Sequence, residues 1–116
     1  MITQKRVDLC LGAMRAICCS PNVRGIVVGY TSKSAGVRAQ SYRRVGFDHL
    51  VILADKMKSA DALELERRLQ EHIKGGGDKL LSKKYAKNKL MDVVRSSAGG
   101  VKTNELDFAC SVYMAW

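Results

Sequence analysis

Two apolar runs, each too short for a helix, constrain this chain most: Gly25-Ile26-Val27-Val28-Gly29-Tyr30-Thr31 and His49-Leu50-Val51-Ile52-Leu53-Ala54. Short length and β-branched content make each a strand, over 25–31 and over 48–54. Between them, Thr31 to Gly36 is a polar loop, and residues 37–44 read as a short helix carrying Arg38, Tyr42, Arg43 and Arg44. Gly46 suits its C-terminal end, after two arginines that complement the helix dipole. Either direction of pairing between the two strands is open.

The flanking segments have helical spacing. Over 4–19, Val7, Leu11, Met14 and Ile17 recur on one face, and Ser20-Pro21-Asn22 ends the run because Pro21 lacks a donor and disfavours helix at Ser20. Ser59 is the expected N-cap of a helix Ala60–Lys74, with Asp61 in its first turn and Gly75-Gly76-Gly77 as its stop. The glycine triplet lacks a preceding strand and a Gly-Lys-Ser/Thr ending, so it reads as a flexible connection rather than a phosphate cradle. A lysine-rich helix follows over 78–96, and 106–116 reads as a last strand with Phe108, Val112, Tyr113 and Trp116. No internal repeat or linker divides the chain. The expectation is one α/β (α+β) domain, with its core over 23–74 and a small, mainly antiparallel three-stranded sheet flanked by helices.

One carboxylate stands out. At roughly 100° per residue, Ala62, Leu65, Leu69 and Ile73 form one stripe on the helix, and Glu66 falls inside it. Glu64 falls outside, placed to pair with Arg68 four residues on. A carboxylate on a core face is costly unless it is paired, hydrogen-bonded or bound to a metal. Glu66 is therefore the best metal-ligand candidate, the alternatives being a stripe-edge glutamate that reaches solvent and half of a buried salt bridge to an arginine such as Arg38.

Charge narrows the partners. Twenty Lys and Arg against eleven Asp and Glu leave a formal charge of +9, which favours a polyanion, most commonly nucleic acid. Arg43, Arg44, Lys83, Lys84 and Lys87 are candidates for backbone phosphate contacts, although the lysines surround their helix instead of forming one stripe. Cys10, Cys18, Cys19 and Cys110 form no CxxC pair and have no histidine at zinc-finger spacing, which suits reduced thiols. His49 and His72 lack ligand partners at helical spacing, and structural roles are expected for them. Asp8 and Arg15 interrupt the apolar stretch a signal peptide would need, and no run approaches a membrane span. A cytoplasmic protein is expected, with a nuclear location left open.

Taken in order, Gly29-Tyr30-Thr31-Ser32, then Arg38-x-x-x-Tyr42, then an apolar strand, then Ala62-Leu63-Glu64-Leu65-Glu66-Arg67-Arg68-Leu69 resembles the core of the GIY-YIG nucleases over about residues 25–73. The resemblance implies a small antiparallel sheet flanked by helices. Val27-Val28-Gly29 corresponds to the family's YIG strand and Thr31 to the Thr or Ser after it. Arg38 corresponds to the arginine that steadies the scissile phosphate, Tyr42 to the His or Tyr one turn later, and Glu66 to the glutamate that binds one divalent cation, Mg²⁺ or Mn²⁺. The residue types suit that chemistry: arginine and metal stabilise charge on phosphate oxygens, and a tyrosine near positive charge can serve as a base. The pattern departs from the family at two places. No Gly-Ile-Tyr strand precedes Val27, and the YIG tyrosine is replaced by Val27, with Tyr30 one residue past the glycine. The last strand, with Tyr113, is a candidate to fill the vacant sheet position.

The expected function is metal-dependent phosphodiester hydrolysis, in DNA before RNA, with Arg38, Glu66 and Tyr30 or Tyr42 (or Tyr113) in the site. The alternatives are a nuclease-like domain that only binds nucleic acid, and a small inhibitor that binds a protein partner.

Overall fold

In the computed structural model, which describes residues 2–86 and 109–116, four helices surround a three-stranded antiparallel sheet. The elements run α1 (Gln4–Cys18), β1 (Val27–Thr31), α2 (Ala35–Arg43), β2 (Leu50–Met57), α3 (Ser59–Lys74), α4 (Lys79–Ala86) and β3 (Cys110–Ala115). The α+β class expected from the sequence is what the chain adopts. Residues 87–96 of the expected basic helix, and 106–108 of the expected last strand, lie outside the described residues.

The sheet order is β1-β3-β2, so the two apolar runs never pair with each other. The last strand inserts between them. Val27, Gly29 and Thr31 of β1 oppose Ala115, Tyr113 and Ser111, while Leu50 and Ile52 of β2 oppose Ala115 and Tyr113 from the other side. Every residue of β3 is buried, as a central strand with both faces covered must be. Beyond the ladder, His49 and Trp116 exchange both backbone hydrogen bonds at 2.9 Å, and their rings stack at 5.3 Å. His49 therefore has the structural role expected of it.

β2 is longer than expected and irregular. Its register slips between Ile52 and Ala54 and again between Ala54 and Met57, leaving Asp55 and Lys56 together opposite Ser111. The apolar run ends at Ala54, which is why a strand continuing through two charged residues to Met57 was not anticipated.

α3 packs against β1 and β3 and is backed by α1 and α4. Its stripe of Ala62, Leu65, Leu69 and Ile73 is fully buried, joined by Val7, Leu11 and Met14 of α1. In β1, the amide nitrogen of Gln70 donates to the Val28 carbonyl at 3.1 Å, satisfying a backbone acceptor of that strand. Two expectations need correction. The N-cap of α3 is Lys58, without a side-chain cap bond, and Ser59 is already helical. Glu64 and Arg68 do not pair; Glu64 accepts from the Ile2 amide while Arg68 donates to the Ile2 carbonyl and to Gln4, so together they clamp the residues leading into α1. The glycine triplet is a shaped turn, in which Gly76 has φ 77° and a Cβ on Gly77 would lie 2.6 Å from the His72 ring.

α2 begins two residues earlier than expected because Ser34 caps it, accepting from the Val37 amide. Apart from Arg38 and Tyr42 it is mostly exposed. Leu69→Ala should lower unfolding free energy by about 2–5 kcal/mol in urea titration, as expected for a cavity in a closed core. Leu63→Ala, on the exposed side of the same helix, should change it by no more than about 0.5 kcal/mol.

Candidate functional site

Side chains alternate along a strand, so Gly29 and Thr31 of β1 share one face with Tyr113 and Ser111 of β3. α2 lies over this face, and its two buried side chains reach down to it. The Tyr42 hydroxyl meets the Tyr113 hydroxyl at 2.6 Å, and the rings pack edge to face with centroids 5.5 Å apart. Phe47 closes the other side of Tyr42 at 5.8 Å. Arg38, one turn before Tyr42, donates from Nε to Thr31 Oγ1 at 3.3 Å.

The glycine of β1 makes this cluster possible. A Cβ at position 29 would lie 2.4 Å from the Tyr113 hydroxyl oxygen and 2.7 Å from the ring carbon bearing it. Any side chain there would expel the tyrosine from its place over the strand.

Arg38 is only 6% exposed, yet among the described residues no carboxylate forms an ion pair with it. A buried guanidinium whose hydrogen bond among the described residues is made through Nε is costly, and an anion at its remaining donors would relieve that cost. Glu66, 7% exposed, is on the core face of α3 as its spacing indicated. Its charge raises the pKa of both Tyr30 and Tyr113, which places it near the two strands that carry them. For Tyr113 burial is the largest cause, followed by Tyr42, and the phenol is held far above its ordinary value despite the nearby Arg38. Tyr113 therefore keeps its proton at any ordinary pH. Tyr30 occupies the opposite face of β1, against Val112, and is likewise raised by burial first and then by Glu66 and Cys110.

The sheet thus brings Arg38, Tyr42 and Tyr113 into one cluster with Thr31, places Glu66 close by, and turns Tyr30 away from the Tyr42–Tyr113 contact. Tyr113 is the central residue, although the sequence only nominated it. Ser111 and Asp55 were missed: Ser111 donates to Asp55 Oδ1 at 2.9 Å, next to Thr31 on the sheet. The charged pair Asp55-Lys56 interrupts the apolar pattern before Met57, but nothing local in the sequence ties it to Ser111.

Among the basic candidates, Arg43, Arg44 and Lys83 are exposed. Lys84 is engaged, its ammonium donating to the carbonyls of Cys18 and Ser20 at 2.6 and 3.0 Å and so tying α4 to the end of α1. Lys83 and Lys84 line a hollow of about 430 Å³ with Pro21, Val23, Arg24 and Leu80. Lys87 lies outside the described residues. None of the four cysteines is in a disulfide, and Cys10, Cys18 and Cys110 are buried. Among the described residues there is no group of three or more His, Cys, Asp or Glu arranged to hold a metal. No helix of the described residues is long and apolar enough to cross a membrane.

Compared with known proteins, the chain matches no family model, no curated protein and no solved structure.

Two outcomes follow from the tyrosine pair. Gly29→Ala should lower unfolding free energy by about 2 kcal/mol or more, an overpacking effect, in the same urea titration. Because the folded pKa of Tyr113 lies above its unfolded value of 10.0, its contribution to stability is complete below that pH. It is lost progressively as pH rises beyond it, since the unfolded chain then releases a proton the folded one retains. Tyr113→Phe should therefore flatten the alkaline decline in thermal midpoint.

Proposed function

We propose that this chain is a divalent-metal-dependent nuclease resembling the GIY-YIG family, acting on phosphodiester bonds in nucleic acid, with DNA as the first candidate. The observation that carries the reading is Arg38: a buried guanidinium without a carboxylate partner among the described residues, beside two tyrosine hydroxyls and near a buried glutamate. That set matches what phosphoryl chemistry needs, a fixed cation for the phosphate and hydroxyls that handle a proton. The position of β3 also answers the departure noted in the sequence. It supplies a tyrosine-bearing strand next to Val27-Val28-Gly29, where the family has its Gly-Ile-Tyr strand.

In this reading Arg38 binds the scissile phosphate through the guanidinium nitrogens not used on Thr31. With Tyr113 as the donor of the hydroxyl pair, its hydrogen bond to the Tyr42 oxygen would favour negative charge there. Tyr42 is then the hydroxyl suited to assist proton removal from the attacking water. Glu66 would hold the divalent cation, a single carboxylate with water filling the remaining positions being a normal Mg²⁺ environment. When bound, that cation supplies Lewis-acid stabilisation of the leaving oxygen. The basic surface, including Arg43 and Arg44, attracts the polyanion.

One observation favours a binding-only domain as the second reading. Tyr42 and Tyr113 are each 1% exposed, so their hydroxyls are closed to solvent in this conformation.

Cleavage of single- and double-stranded DNA and RNA with Mg²⁺ or Mn²⁺ tests the two readings. Wild type should cleave, and Arg38→Ala and Glu66→Gln should each lose about 10²–10³-fold in rate, the scale for removing one charge-stabilising group. Circular dichroism should report both variants folded. Salt-sensitive binding without cleavage by wild type would favour the binding-only domain, and equal cleavage by all three proteins would refute both assigned roles.

A further inference from the structure

Lys56 is the one non-glycine among the described residues with positive φ, at 53°. That conformation crowds the Cβ of an L-residue against the following carbonyl, and glycine or asparagine adopts it far more readily. The surroundings hold it in place. Met57 returns to the ladder opposite Cys110, and Asp55 Oδ1 accepts from both the Ser111 hydroxyl at 2.9 Å and the Lys56 amide at 2.7 Å. Asp55 is thus fastened to the sheet, and Lys56 is held exposed at the edge of β2.

The bulge is in line with the site. Ser111, which anchors Asp55, pairs across the ladder with Thr31, which receives Arg38. A polar row of Arg38, Thr31, Ser111 and Asp55 therefore crosses the sheet and ends at Lys56. Two strand spacings, about 10 Å, separate β1 from β2 along this row. A lysine displayed at that end of the row is placed to meet a phosphate further along a strand held at Arg38. Strained residues of this kind persist where the structure over-determines them, and bulges re-aim side chains beside functional sites.

We propose that Lys56 is a second backbone contact for nucleic acid, displayed by the strained bulge beside Arg38, so that the site takes a continuous strand rather than a single nucleotide. This rests on the site being a holder for a nucleic-acid phosphate, and it does not require catalysis.

The test is fluorescence anisotropy with labelled single-stranded and duplex DNA, without metal, across a salt series. It compares wild type, Lys56→Gly, Lys56→Arg and, as a remote control, Lys5→Ala on the exposed face of α1. Lys56→Gly should keep a thermal midpoint at or above wild type, because glycine relieves the left-handed strain. It should nevertheless bind several-fold more weakly, with a salt slope shallower by about 0.7–0.9, the change for one lost phosphate contact. Lys56→Arg should retain affinity, and Lys5→Ala should resemble wild type. The inference is overturned if Lys56→Gly keeps the wild-type affinity and slope, or loses no more than Lys5→Ala does. Wild-type binding without cleavage would remove the nuclease reading and leave this one standing; no wild-type binding at all would overturn both.

Discussion

The structure depends on β3. Among the described residues, β1 and β2 each have β3 as their one hydrogen-bonded neighbour in the sheet, and it lies more than 50 residues beyond both. Each ladder is therefore non-local, and the loop-closure entropy is incurred before the sheet gains any pairing energy. The burial of every β3 side chain is the return on that loss.

The same strand organises the candidate site. Tyr113 bridges the layers, with its ring over Gly29 of β1 and its hydroxyl on Tyr42 of α2. Ser111, two residues earlier on that face, joins Thr31 on one side to Asp55 on the other. A short, largely exposed helix such as α2 has little apolar surface with which to fix itself, so the Tyr42–Tyr113 contact and the Arg38–Thr31 bond do much of its positioning. Groups proposed to bind phosphate thus also hold the layer in place, which ties the geometry of the site to the integrity of the sheet.

The excess of positive charge is not uniform in use. Lys84 satisfies carbonyls at the end of α1, and Arg15 pairs with Asp78, so both tie α1 to the segment around α4. Arg68 secures the residues before α1. Arg43, Arg44, Lys56 and Lys83 remain on the surface, available to a polyanion. A net charge describes an attraction, and only the contacts separate cations that serve the fold from those that can serve a partner.

Much was legible in the chain itself. Apolar period marked α1 and α3 and β-branching marked β1 and β2, while glycine stops and aromatic residues marked α2, α4 and β3, because those signals are local. The 3.6-residue period placed Glu66 on the core face of α3, and Arg38 and Tyr42 one turn apart on α2. Tertiary structure decided the rest. Strand order follows from which faces can be buried together, so β3 could lie between β1 and β2 without any local mark of it in residues 110–115. The hydroxyl pair of Tyr42 and Tyr113 spans 71 residues and depends on Gly29 leaving room. The bulge at Asp55-Lys56 depends on Ser111 from another strand. Period and propensity act within a few residues, whereas pairing, close approach and side-chain anchoring are set by partners that only the folded chain brings together.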